Sequence, residues 1–266
     1  QKRFVVVLGF TAILLAGAFF FVRINPACRQ NLAVHHAQYQ ELAEALSEGK
    51  VSVGDAEEAL LAMKNPYDTI ALQAAGIGYR ADYAYHNGKY YVYFGIVPVL
   101  LLYLPYYLLT GGALQNYVAV FVFFAGFIIA AAGFVYELMK RYFKEQPFYL
   151  WAVGTGMLVG SYSMFYLLIR PDLYHVPIAA STMFATGGLW LYLAGLNRPK
   201  KAVGLYAFGS FCMALTAGCR PQFILFAALA VVLFWERVFV KRELFSKKGW
   251  RQTAALVVPY VLLSLI

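Results

Sequence analysis

The sequence predicts an all-α polytopic membrane protein. It should have about seven transmembrane helices, one further interfacial or re-entrant helix, and a long first outer loop carrying amphipathic helices. Three observations predict this. Of 266 residues, 62% are hydrophobic and only 13% charged, whereas an average soluble domain is roughly half apolar and about a quarter charged; mean hydropathy is +0.62. Apolar runs of bilayer-spanning or nearly spanning length recur along the chain. Basic residues gather in the short loops between them. A soluble enzyme, a disordered chain and a disulfide-stapled module are thereby excluded.

The formal net charge is +9, and its distribution argues against a nucleic-acid partner. Residues 23–92 hold six Lys/Arg and eight Asp/Glu, which leaves +11 for the remainder, almost all in short loops. Basic loops tend to stay on the cytoplasmic side, so the charge is a topology signal. Cys28, Cys212 and Cys219 form neither a metal pattern nor an even disulfide framework.

The first transmembrane helix is expected within 1–22. Its apolar run 4–22 follows Lys2–Arg3 and lacks a small-x-small cleavage site, so it reads as a retained anchor rather than a signal peptide. An outer loop follows over 23–92. Leu32, His35, Tyr39, Leu42 and Leu46 recur at three- and four-residue steps, the period of an amphipathic helix, with His35 and His36 as interfacial residues. Asp55 and Glu58 have capping-box spacing before Leu60–Leu61, and Asn65–Pro66 closes that second helix. Both helices are expected to lie apolar face down on the membrane surface.

Residues 93–266 form the polytopic domain, with apolar runs at 93–109, 114–136, 148–168, 173–196, 202–218, 221–236 and 252–266. Because the chain starts at Gln1 and stops within an apolar run, a longer protein continuing beyond Ile266 is expected. Basic clusters stand at Lys2/Arg3, Lys140/Arg141/Lys144, Arg198/Lys200/Lys201 and from Arg237 to Arg251. Placing all four on one side requires an even number of crossings between residues 4 and 136. The run 93–109, short and interrupted by Pro98 and Pro105, is therefore expected not to cross. The loop 23–92, the turn Arg170–His175 and the turn Gly218–Pro221 then share the outer face.

The chain has four aspartates. Asp55 reads as a helix cap; Asp68, Asp82 and Asp172 fall at outer membrane boundaries, where a carboxylate is costly unless solvated, paired or metal-bound. Asp82 opens the run Asp82-Tyr-Ala-Tyr-His-Asn-Gly-Lys-Tyr-Tyr-Val-Tyr-Phe-Gly-Ile-Val-Pro98. Asn87-Gly88 is a hairpin turn signal, and the plain reading is a small β-hairpin with a Tyr-rich interfacial belt. That reading leaves Asp82, His86 and Lys89 in one amphipathic turn unexplained. Asp172, in Arg170-Pro-Asp172-Leu-Tyr-His175, is either an exposed helix cap partnered by Arg170 or a functional acid. Arg220, alone among charges between Lys201 and Glu236, either snorkels to headgroups or clamps a phosphate.

Taken in order, these features resemble the GT-C superfamily of polytopic glycosyltransferases, nearest the protein O-mannosyltransferase and aminoarabinose-transferase type. The features are one membrane helix, a long loop with surface helices, the Asp82-to-Tyr91 run leading into Pro98, Ile169-Arg-Pro-Asp172 before a new helix, and Arg220-Pro221. Asp68 and Asp82 come later after the first helix than that group's first acidic residue often does, and Phe94-Gly-Ile-Val-Pro98 stands where a Lys-Pro-Pro-like element is usual. Both aspartates therefore stay candidates.

The resemblance implies transfer of a sugar from a polyprenyl-phosphate donor to a glycan, lipid or protein acceptor, at the outer face of a bacterial-type plasma membrane. Asp82 or Asp68 would be the general base on the acceptor hydroxyl, with Arg220 and Lys89 on the leaving phosphate. Asp172 would orient the acceptor or hold an optional Mg or Mn ion. Substrate contacts would come also from His86, Asn87, Tyr90, Arg170 and His175. Two other classes stay open: a transporter or flippase of lipid-linked saccharide, and a noncatalytic assembly protein whose Tyr-rich loop binds a partner. A transporter would bury ionisable groups near mid-membrane and often shows inverted repeats; no repeat is visible, and the acids cluster at one face.

Overall fold

The computed structural model describes residues 2–29, 37–93, 95–161, 164–247 and 249–264. Leu32, His35 and His36 of the expected amphipathic helix, and Phe94, lie outside them. Five helical stretches are long and apolar enough to cross a membrane: Arg3–Ile24, Asn116–Tyr142, His175–Asn197, Pro199–Cys219 and Pro221–Val240. The protein is accordingly an all-α membrane protein, with one two-stranded hairpin among the described residues.

Helix α1 (Lys2–Ile24) runs from the Arg3 end of the molecule to the loop lobe, with most of its apolar surface facing outward. In the lobe, α2 (Gln38–Ser47) buries Tyr39, Leu42 and Ala43. Two short helices follow, α3 (Glu58–Leu61) and α4 (Thr69–Ala74), then β1 (Ala84–His86) and β2 (Lys89–Tyr91). Asn87 and Gly88 both take positive φ, 47° and 77°, as a two-residue hairpin turn of matching twist requires. The expected hairpin forms, in the register Tyr85 opposite Tyr90 and His86 opposite Lys89.

Two details of the lobe differ from expectation. Asp55 is not a helix cap: α3 starts three residues later, after Glu57, and Asp55 instead bridges Lys89 as the preceding chain pairs with β2. The second expected surface helix is also shorter than its pattern suggests, with Leu60 turned inward and Leu61 exposed. Leu60 joins Leu72, Ile77, Tyr83 and Tyr90 in a small core of the lobe's own. Arg80 ties this lobe to α2. Its guanidinium lies 4.1 Å from the Tyr83 ring centroid and 4.9 Å from that of Tyr90, and donates to Glu41 Oε2 at 2.7 Å.

Beyond the lobe, a π-helical turn (Val99–Tyr103) leads into α5 (Leu104–Thr110), which ends on left-handed Gly111. The twelve residues 99–110 span roughly 18 Å at 1.5 Å per residue, short of a bilayer core of about 30 Å. Gln40 Nε2 donates to the Leu114 carbonyl at 2.8 Å, and Tyr103 Oη to Asn116 Oδ1 at 2.7 Å, which fastens α2 and the π-turn to the start of α6 (Asn116–Tyr142). At the far end of α6, Lys140, Arg141 and Lys144 line one cavity together with Arg3. Residues 25–115 therefore begin and finish at the end opposite these cations, as the charge pattern requires.

The remaining helices are α7 (Tyr149–Ser161), α8 (Met164–Ile169), α9 (His175–Asn197), α10 (Ala202–Cys219), α11 (Ala228–Trp235) and α12 (Trp250–Ser264). Helix α9 packs between α6 and α10 through small residues, as expected where lipid supplies no hydrophobic drive between helices. A Cβ on Gly188 would stand 2.9 Å from the Gly209 carbonyl oxygen, so α9 and α10 approach almost backbone to backbone.

Among the described residues, one charge is buried between these helices. Glu137, 2% exposed, accepts from Asn197 Nδ2 at 2.8 Å and is ion-paired with Arg198. Removing one partner of a fully buried pair costs about 3–5 kcal/mol; the Arg198 side chain is 40% exposed, so solvent screening holds the cost to the low end of that range. Arg198→Ala is expected to lose about 3 kcal/mol, because Asn197 stays, and Glu137→Gln in the same chain should restore most of it. Thermal unfolding in detergent tests both; an unchanged midpoint in the single variant would show the pair to be idle.

Candidate functional site

Asp82 has φ of +62°, a left-handed conformation uncommon for a residue other than glycine. Such backbone is retained where surroundings over-determine it, and clusters at functional sites. Here the surroundings include two phenols. Tyr93 Oη donates to Asp82 Oδ1 at 3.4 Å, and Tyr174 is hydrogen-bonded to the same carboxylate. That hydrogen bond, with partial burial, pushes the Tyr174 phenol up to about 12; burial and then Asp82 raise Tyr93 as well. Both phenols thus keep their protons at neutral pH and point them at one carboxylate.

Tyr174 brings the second acid into the same neighbourhood, because it stands between Asp172 and α9. Asp172 Oδ1 accepts from the backbone N–H of Tyr174 at 3.0 Å and of His175 at 3.1 Å, and lies 2.9 Å from His175 Nδ1. Burial alone would raise the Asp172 carboxyl. The hydrogen bond and charge of His175 and the two backbone donors outweigh burial and hold it below its ordinary value. A depressed folded pKa stabilises above the unfolded value and loses that contribution as pH falls through the folded one. The stability gap between wild type and Asp172→Asn is therefore expected in full at neutral pH. It should shrink below about pH 3.8, the ordinary value, and close at lower pH. Thermal scans of both proteins from pH 7 downward check this; a gap independent of pH would contradict it.

The partner of Asp172 is thus His175, not Arg170. The Arg170 guanidinium is turned back to Tyr166 Oη at 3.2 Å, while its carbonyl meets His175 Nδ1, and the His175 ring stands edge-on to Tyr166 with centroids 5.4 Å apart. The turn Arg170–His175 is closed by its own side chains. Among the described residues no group of three or more His, Cys, Asp or Glu gathers as metal ligands. The donors facing Asp172 Oδ1 make it a hydrogen-bonded carboxylate oxygen.

The third element is the end of α10. A Cβ on Gly95 would fall 2.0 Å from the Cys219 carbonyl oxygen and 2.2 Å from that of Gly218. Only glycine lets the chain pass there, two residues after Tyr93, against the residues that immediately precede half-buried Arg220. Tyr39 of α2 completes the junction. Burial pushes its phenol well up, with Cys219 and Arg220 as its ionisable neighbours.

Other sequence-derived candidates lie elsewhere. Asp68 is an exposed N-cap of α4, accepting from Ile70 N at 3.0 Å and Ala71 N at 3.2 Å. Lys89 is parted from Asp82 by the hairpin: it lines a hollow shared with Glu41, Glu44, Glu48 and Asp55, an acidic setting unsuited to a phosphate. His86 and Asn87 are exposed at the hairpin tip, and Tyr90 is buried under Arg80 in the lobe core. Tyr93, Tyr174 and Tyr39 were not singled out by sequence reasoning. For Tyr174 the signal was adjacency to Asp172 at a helix start; nothing in the sequence links it to Asp82.

The chain matches no protein-family model, no curated protein and no solved structure.

Proposed function

We propose that this protein is a membrane glycosyltransferase of the GT-C kind. It would move a sugar from a polyprenyl-phosphate donor to a cell-envelope acceptor at the outer face of a bacterial-type plasma membrane. The observation that carries the reading is the meeting of Asp82 with Tyr174 and, through it, Asp172, across ninety residues of sequence. The contact of Gly95 with the end of α10 sets Arg220 at the same end of the bundle. With the basic end cytoplasmic, as the charge bias favours, this cluster lies outside. In that topology α1, α6, the α7–α8 stretch, α9, α10, Pro221–Val240 and α12 make seven crossings, and 99–110 lies in the interface.

In the proposed reaction the acceptor hydroxyl takes the place of one phenol on Asp82, which receives its proton. The freed oxygen attacks the anomeric carbon. The bond from that carbon to the phosphate oxygen breaks, and its electron pair leaves on the polyprenyl phosphate, whose charge Arg220 offsets. Asp172, held by His175, positions the turn bearing Tyr174. No step passes through a metal ion.

The test is release of labelled sugar from a panel of polyprenyl-phosphate sugars by the full-length protein in nanodiscs, comparing wild type with Asp82→Asn and Asp172→Asn. Turnover that depends on Asp82 supports the transferase. Donor binding without turnover, indifferent to both substitutions, would move the assignment to a transporter or an assembly protein.

A further inference from the structure

The opposite end of the bundle carries a feature that sugar transfer does not use. A cavity of about 710 Å³ opens between the start of α1, the end of α6 and the end of α9. Four cations line it, Arg3, Lys140, Arg141 and Lys144, and no carboxylate does. The nearest buried acid, Glu137, is already satisfied by Arg198 and Asn197. Arg141 is fixed by donation from Nη1 to the Leu196 carbonyl at 3.2 Å, yet its Nε is buried with no hydrogen-bond partner among the described residues. Arg3 is positioned too, with its guanidinium 5.3 Å from the Phe148 ring centroid.

We infer that this cavity holds the phosphate of an anionic phospholipid from the leaflet at the basic end. Phosphate is the chemistry that four cations lining one cavity, with no carboxylate among them, recognise. The bilayer is the source because the cavity borders α1, whose outward surface is apolar, and because half-exposed Tyr142 and Phe143 flank it like interfacial aromatics. Basic pockets between transmembrane helices bind anionic headgroups in this way. This inference is independent of the transferase reading, which concerns the other end of the molecule.

The experiment purifies the full protein from mixed phosphatidylcholine and phosphatidylglycerol nanodiscs and quantifies retained lipid by native mass spectrometry. Wild type should retain phosphatidylglycerol selectively. Lys140→Gln/Lys144→Gln, which spares the structural Arg141, should lower retention by about tenfold, and adding Arg141→Gln should lower it further. Lys200→Gln/Lys201→Gln removes charge from the same end outside the cavity and should leave retention unchanged. Equal loss in both double variants would overturn the site in favour of diffuse attraction. So would absence of selective retention in wild type. Saturable binding of radiolabelled inorganic phosphate in pure phosphatidylcholine nanodiscs, together with loss of retained phosphatidylglycerol when phosphate is added to the mixed nanodiscs, would overturn the lipid in favour of a free anion.

Discussion

Replacing Asp82 by asparagine is expected to lower sugar transfer by at least about a hundredfold, the low end of what a positioned general base contributes, while donor affinity changes less than about twofold. The substitution isolates the chemistry for a structural reason. Asp82 sits at φ +62°, which asparagine tolerates and most other residues do not. Asparagine is also isosteric, and its carbonyl oxygen can still accept from Tyr93. The backbone and the Tyr93 contact are kept, and the capacity to take a proton is lost. Alanine would mix this loss with a left-handed strain of about 1–2 kcal/mol and two orphaned hydroxyls. A fall in kcat with KM unchanged identifies the base, and a retained kcat would remove Asp82 from the mechanism.

Much of this architecture was legible because membrane topology is written in gross features. The alternation of apolar runs with basic loops places Arg3 and Lys140–Lys144 together, and they line one cavity. Asn87-Gly88 announces its hairpin, and both residues take the positive φ that the turn needs. The site was legible only in part. The preference proposed for Asp82 over Asp68 depends on where each carboxylate points, and Asp68 is turned into the first turn of α4 by two backbone N–H groups.

Lys89 shows the opposite failure. Its proximity to Asp82 in sequence suggested a shared site, yet Asp82 precedes β1 while Lys89 stands at the turn end of β2, so the length of the hairpin arm separates them. Pairing with the Asp55 segment carries Lys89 into an acidic hollow. The link from Asp82 to Tyr174 joins elements that do not adjoin in sequence. It is set by how the lobe docks on the bundle, which no local pattern encodes.

That docking leads to the second large effect. Gly95→Ala is expected to destabilise the protein by about 3 kcal/mol, the upper range for overpacking a filled site. It should also depress transfer without touching any group that does chemistry. The added Cβ would stand 2.0 Å from the Cys219 carbonyl oxygen and 2.2 Å from that of Gly218. Both are backbone atoms at the end of a helix, so no side chain can rotate away. Either α10 or the segment after the hairpin must shift, and that segment is the lighter element. Tyr93 lies two residues upstream and bonds Asp82, so a shift there pulls at the carboxylate that Tyr174 holds from the other side.

Gly78 supplies the control. It belongs to the same lobe, and a Cβ there meets nothing within 4 Å, so Gly78→Ala should change stability by no more than about 0.5 kcal/mol. Comparing the unfolding midpoints and the transfer rates of the two variants separates docking from local backbone effects. If Gly95→Ala keeps both stability and rate, the segment after the hairpin is not seated on α10, and the argument that sets Arg220 at the same end of the bundle as the acids goes with it.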